Sequence, residues 1–269
     1  MNHLLREVAP ISERAWEEID REAATTLKHF LAGRRLLDFE GPKGWDHIGE
    51  PTGRVDALGS LQGGAVSAGA RRSQPMLELR TTFEVSRREL EAIDRGSCDA
   101  DLDSVREAAK RAALAEDELV FHGFPAGGVQ GLVGATPLEP VPITTDYERY
   151  PRYVAQAMAR LQDVGVDGPF AIALGPRCYT GVIEESEMGG YPVLEHLRLI
   201  LGGPVVRAQA VDGAVVMSIR GGDFKIVTGQ DFSIGYLSHD RDTVSLYLEE
   251  TITVQICLPE AAVHLRYPD

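Results

Sequence analysis

The chain has 269 residues, 43% of them hydrophobic and 25% charged, an ordinary globular composition that excludes wholesale disorder and allows a real core. No apolar run approaches the roughly 20 residues that span a bilayer, and Arg6, Glu7, Glu13 and Arg14 interrupt the N-terminus, so the expectation is a soluble cytoplasmic protein without membrane contact. With 41 acidic against 27 basic residues, a net charge of −14, its surface repels nucleic-acid phosphate, and the pairs Arg71-Arg72 and Arg87-Arg88 are too small to reverse that.

Residues 12–32 predict an amphipathic helix. Ser12 is a natural N-cap, Glu13, Glu17 and Glu18 suit the positive end of the dipole, and Trp16, Ile19, Ala23, Leu27, Phe30 and Leu31 make one apolar stripe. Gly33 is the expected stop. Leu36–Phe39 reads as a short strand and Gly41-Pro42 as a turn. Residues 48–74 hold six glycines and few large apolar side chains. Broken alternation at Thr52–Leu58 and again at Met76–Val85 predicts two long strands, an extended hairpin arm that leaves the body and returns. Over 101–120 the alanines Ala108, Ala109, Ala112, Ala113 and Ala115 predict a long helix that lets a neighbour pack closely.

Residues 150–200 read as mixed α/β material: a helix at 154–164, a buried strand at 169–174 and a helix at 193–201, with an acidic exposed tip at Glu184–Gly190. Further on, Phe224 and Ile226, then Phe232, Ile234 and Tyr236, alternate on either side of a turn at Gly229-Gln230-Asp231. From Val244 to Leu258 the even positions are apolar, which predicts a long strand with one buried face. Glu250 alone breaks that face. It needs a partner, or it marks a subunit contact.

Catalytic constellations do not emerge. Gly127-Gly128-Val129-Gln130-Gly131 lacks the Lys-Ser/Thr of a phosphate loop and the spacing of a dinucleotide site, so it reads as a structural turn. Ser238-His239-Asp240 has the residue types of a triad, but three consecutive residues cannot adopt triad geometry. The seven histidines form no HExxH or His-x-His pattern. Cys98, Cys178 and Cys257 lie far apart and fit no disulfide framework or metal site, and no thiol-hydrolase signature surrounds Cys178. Of the 27 basic residues only four are lysine, and arginine tolerates interfaces better. These features predict a self-assembling protein with no enzymatic activity, metal or cofactor.

Several motifs carry a resemblance to a known family: Leu4–Pro10, Trp16–Asp20, Gly33-Arg34-Arg35, Asp38, Gly41–Trp45, Glu116-Asp117-Glu118, Gly165–Pro169, Gly190-Tyr191-Pro192, and above all Arg220–Phe224 followed by Gly229–Tyr236. In these, and in register over essentially the whole chain, the sequence resembles an encapsulin shell protein of family 1. The resemblance implies an α+β chain with the HK97 phage major capsid protein-like fold. It divides into an N-terminal helix and start of the peripheral domain (1–47), an extended loop (48–74), a peripheral domain with the long helix (75–131), an axial domain (132–219) and a peripheral return (220–269). Such subunits build icosahedral compartments, of sixty copies in the smallest form, around a cargo enzyme such as a ferritin-like protein or a dye-decolorising peroxidase.

The family binds a C-terminal peptide of its cargo, and the resemblance carries that groove onto Leu27, Leu31, Arg34 and Asp38, opposite Phe232 and Ile234. The leucines would take aliphatic anchors and Arg34 and Asp38 would fix polarity. The tip Glu184, Glu185, Ser186, Glu187, Met188, Gly189, Gly190 would line a five-fold pore that favours cations. Residues 48–74 hold no lysine for a phage-type crosslink. No aromatic stands at Arg87, in the segment Ser86–Glu89 where some members stack a flavin, so no flavin is expected. The alternatives are a phage major capsid protein and, of another class, a peptidase or bacteriocin-like activity.

Overall fold

In the computed structural model, which describes residues 3–187 and 190–268, Ser12 Oγ accepts a hydrogen bond from Ala15 N at 3.1 Å and caps the first helix, α1 (Glu13–Phe30). The apolar stripe buries Trp16, Ile19, Ala23 and Leu27. The helix ends at Phe30, and Gly33 is not its left-handed stop. It opens a 3-10 turn, Gly33–Arg35, pressed against a later helix. A Cβ on Gly33 would lie 3.2 Å from the Val120 methyls and 3.4 Å from Asp117 Oδ1, so close approach explains this glycine.

A short strand β1 (Asp38–Glu40) leads to β2 (Gly49–Leu61) and β3 (Val66–Pro75), an antiparallel hairpin turned at Gln62–Gly64. The return strand is therefore Val66–Pro75, and not the Met76–Val85 segment expected from alternation. That segment is β4 (Leu77–Ser86), which lies in the body and buries Phe83 and Val85. Residues 66–75 carry no period-two signal because neither face of β3 is covered. Register shifts between Pro51 and Val55 and between Ala57 and Gly59 bulge β2.

There follow α2 (Arg87–Asp94), α3 (Asp103–His122), β5 (Gly123–Phe124), β6 (Val129–Gln130), α4 (Leu132–Ala135) and β7 (Val141–Pro142). Then come α5 (Tyr150–Asp163), β8 (Phe170–Leu174), α6 (Pro176–Glu184), α7 (Val193–Leu201), β9 (Val205–Arg207) and β10 (Ala214–Ser218). The chain closes with β11 (Phe224–Thr228), β12 (Ser233–His239), β13 (Thr243–Ile256) and β14 (Ala262–Arg266).

Two five-stranded sheets organise these elements. In the first, Ile252 of β13 pairs with Thr228 of β11 and with Leu77 of β4. The strands β11 and β12 thus share one edge of β13 while β4 takes the other, and β1 adds parallel to β11. The second sheet runs β7-β14-β10-β8-β9, with β8 and β10 buried throughout. Helix α3 serves both halves. Ala108, Ala109, Ala112 and Ala113 lie in the core with α1 and the first sheet, whereas Leu119, Val120 and Phe121 lie in the core of the second sheet.

The long strand departs from its expected one-sided burial. Tyr247, Glu249 and Thr253, on the odd face of β13, are buried as well. The N-terminal segment helps to cover that face: Tyr236 N donates to Leu4 O at 2.8 Å, and Tyr247 Oη donates to His3 O at 3.2 Å. Arg80 stacks on Tyr247 at 4.5 Å.

The glycine-rich segment after α3 is a tight turn, as read. A Cβ on Gly131 would overlap the backbone of His122 and Gly123, whereas one on Gly134, inside α4, would meet nothing within 4 Å. Gly131→Ala is therefore expected to destabilise the subunit by about 3 kcal/mol or more. Gly134→Ala should be neutral or stabilise by up to about 1 kcal/mol. Urea unfolding of the two variants against the parent checks both.

Candidate functional site

The turn after α1 sends Arg34 inward. Its Nε and Nη2 donate to Glu116 of α3 at 2.9 and 2.8 Å, Nη2 also to Glu250 of β13 at 2.5 Å, and Nη1 to Asp231 at 2.8 Å. The guanidinium lies 4.6 Å from the Phe39 ring and 5.0 Å from that of Phe232. Glu250, the one acid on the apolar face of β13, therefore has its partner inside the subunit.

Glu116 and Glu250 are both fully buried. Burial raises the pKa of Glu116 despite Arg34. It raises that of Glu250 further, helped by the Glu116 charge beside it. Burial also works against the Arg34 charge, but its bonds to Glu116 and the surrounding carboxylates hold its pKa above the ordinary guanidinium value. The adjacent Asp117 accepts the Ala32 and Gly33 amides at 3.0 and 2.8 Å, and burial still pushes its carboxyl up to about 7.

Beside this cluster a cleft of about 290 Å3 opens between α1 and β12. Leu27, Phe232 and Ile234 meet there, with Ala23 and Leu248 between them. Its rim is polar: Arg6 Nη2 pairs with Asp20 Oδ2 at 2.7 Å and the Arg6 guanidinium sits 4.0 Å from the Trp16 ring, with Ser233 and the exposed Ala24 nearby. The other three expected groove residues lie elsewhere. Leu31 is core, Arg34 is committed to its three carboxylates, and Asp38 accepts the Gly222 amide at 2.6 Å in a separate hollow. The helical spacing of Asp20, Ala24 and Leu27 could have identified the α1 wall. Nothing local to Leu4 or Arg6 marks the other.

At the acidic tip, Glu184 ends α6, and Glu185 and Ser186 are exposed. Glu187 N donates to Tyr191 O at 2.9 Å and Gly190 N donates to Glu187 O at 2.8 Å. The Glu187 carboxylate faces His196 Nδ1 at 2.8 Å, so Glu184 and Glu185 are the more open charges. Met188 and Gly189 lie outside the described residues.

Residue types that suggest catalysis are otherwise engaged. Cys178 is buried, takes a hydrogen bond from Tyr150 Oη at 2.6 Å and lies 3.2 Å from Tyr267 Oη. Burial raises its pKa, which suppresses the thiolate a nucleophile needs. Asp240 Oδ1 accepts the Asp242 and Thr243 amides at 2.8 and 2.7 Å, and His239 Nδ1 lies 2.5 Å from Tyr236 Oη, an ordinary strand turn. Among the described residues no helix is long and apolar enough to cross a membrane.

Residues 1–253 match the family described as an encapsulating protein for peroxidase. The chain is similar to the type 1 encapsulin shell protein of Rhodospirillum rubrum, with 48% identity covering 99% of this chain and 97% of the relative. In three dimensions it is similar to the virus-like particle from Pyrococcus furiosus, with a TM-score of 0.67 at 19% identity, covering 93% of this chain and 98% of that one. It is also similar to the capsid of Myoviridae phage XM1, with a TM-score of 0.54 at 10% identity, covering 87% and 90%. The architecture is thus the HK97-type capsid fold.

Two outcomes follow from the buried cluster. Arg34→Ala, which strands buried carboxylates, should destabilise the subunit by about 3–5 kcal/mol. Glu250→Gln mimics the protonated form and should stay within about 1 kcal/mol of the parent; urea unfolding separates the two. For Asp117 the folded pKa lies above the ordinary 3.8, so the folded state binds the extra proton. Its contribution is full below pH 4 and declines up to about pH 7, by at most about 1.4 kcal/mol per pH unit. Unfolding midpoints at pH 5 and pH 8 should therefore differ less in Asp117→Asn than in the parent.

Proposed function

The chain belongs to the encapsulin family of shell proteins, and from that premise we propose that sixty copies close into an icosahedral compartment whose cargo is held by a short peptide in the α1–β12 cleft. The observation that carries the cargo reading is the cleft itself. Its floor of Leu27, Ile234 and Leu248 suits aliphatic side chains, while the Arg6–Asp20 pair and Ser233 offer polar contacts at the rim. Arg34 acts from behind, as the support of Phe232, while Leu31 belongs to the core and Asp38 to a separate hollow, and neither contacts the peptide.

In this reading the exposed β2–β3 hairpin is the extended loop, which pairs with neighbouring subunits by strand addition. Residues 132–219 form the axial domain, and residues 1–47, 75–131 and 220–256 the peripheral one. Strand β14 (Ala262–Arg266) returns to the axial sheet, where it pairs with β10 and β7, so the expected peripheral return over 220–269 ends before that strand. The tip at 184–190 lines the five-fold pore, where a ring of Glu184 and Glu185 favours cations over anions. A peroxidase, as the family description has it, or a ferritin-like protein is the cargo class, and the compartment sits in the cytoplasm. The shell binds neither nucleic acid nor flavin.

Expressed alone, the chain should elute as a large particle and show uniform hollow spheres in negative stain; a monomer or small oligomer would overturn the sixty-subunit compartment. For the cleft, a fluorescent protein bearing the C-terminal tail of the organism's own peroxidase or ferritin-like protein should co-purify with the shells. Ala24→Arg fills the cleft from an exposed helix position. It should leave shells intact and cut loading about tenfold or more; unchanged loading would place the peptide elsewhere.

A further inference from the structure

The turn Gly33–Arg35 carries two arginines in succession, and a 3-10 turn advances about a third of a circle per residue. Arg34 therefore points inward and Arg35 outward. Arg35 is exposed where the end of α1 approaches the edge strand β9 of the second sheet. Between them is a cavity of about 210 Å3 that holds His29 and Phe30 from α1, Arg35, Tyr179 from α6, and Arg207 and Gln209 from β9 and just beyond. The Arg207 guanidinium lies 6.0 Å from the Tyr179 ring centroid.

The chemistry of this lining is one-sided. No acid contributes to it, and among the described residues no carboxylate pairs with Arg35 or Arg207. Elsewhere in this acidic chain Arg6, Arg34, Arg72, Arg80 and Arg106 have carboxylate partners, whereas Arg54 and Arg71, which among the described residues have none, lie exposed on the β2–β3 hairpin. Two donor-only guanidiniums, backed by an imidazole, an amide and a phenol, converge on one cavity without a counter-charge. Such a set calls for an anion, and two fixed positive charges match one that carries about two negative charges at neutral pH. The volume lies below the ~300–1,000 Å3 of sites for larger ligands, which restricts the occupant to a small group.

We propose that this cavity is a binding site for a small phosphate-bearing anion, held between Arg35 and Arg207. Because Arg35 follows α1 and Arg207 ends β9, the bound anion ties the end of α1 to the edge of the second sheet.

Titration calorimetry on the full-length protein, with sodium phosphate and with sodium chloride at matched ionic strength, tests the site. The expected result is saturable phosphate binding at one site per subunit and none for chloride. Both arginines are exposed, so Arg35→Gln and Arg207→Gln should leave the elution profile unchanged. Each should weaken binding about tenfold or more, and the double variant should abolish it. A parallel titration with glycerol phosphate distinguishes the sources: tighter binding than inorganic phosphate identifies a monoester as the ligand, and equal or weaker binding identifies the free ion. Absence of saturable phosphate binding, an equal response to chloride, or unchanged affinity in the double variant would overturn the proposal.

Discussion

A guanidinium removed from water is tolerable only where other groups replace its hydration, and here three carboxylates from three places do so. Glu116 comes from the long helix, Glu250 from the long strand and Asp231 from the loop that separates β11 from β12. Each of those elements must be in place for Arg34 to be satisfied, and Arg34 must be in place for two buried acids to be tolerated. This mutual requirement makes the cluster a test of correct assembly of the first half rather than a source of net stability. Its surroundings inherit the arrangement. The Phe232 ring leans on the guanidinium, so the wall of the cleft is set by charges that the cleft never exposes.

Helix α3 transmits that order to the rest of the subunit. Its alanine-rich first half allows α1 and β4 to approach, and its apolar second half enters the other core. Between the halves stand Glu116 and Asp117, one facing Arg34 and the other holding two backbone amides at the end of α1. Two adjacent acids thus fix both the side chain and the main chain of the same connection.

Legibility in the sequence followed burial geometry. Helix α1 and strand β13 each carry one long apolar stripe, so their periods are plain, whereas α3, which enters two cores, is marked by its alanines rather than by a period. The strand β10 is buried on both faces and its run Ala214–Ser218 has no alternation to read. The return strand β3 is covered on neither face and is equally silent. Glu250 did announce itself, because one acid on an apolar face requires a partner, but the identity of that partner depends on contacts 216 residues apart in sequence. The cleft was half legible for the same reason. Leu27, Phe232 and Ile234 stand out as apolar residues, whereas Arg6 and Asp20 gain meaning only once the N-terminal segment folds back over α1. That Arg34 turns in and Arg35 out cannot be seen in a pair of identical letters.

The hairpin formed by β2 and β3 has a kinetic consequence. Two strands without a covering layer are marginal in water, and this pair carries Val55, Leu58 and Leu61 at 63%, 69% and 61% exposure. A lone subunit thus displays open strand edges, which other chains can extend without limit. The bulges after Pro51 and Ala57 and the scattered glycines keep those edges from being straight or flat. Growth by indefinite stacking is thereby slowed relative to docking on a shaped partner. In the proposed compartment, shell closure and aggregation are then competing fates of the same exposed edge, and irregularity in the hairpin biases the race.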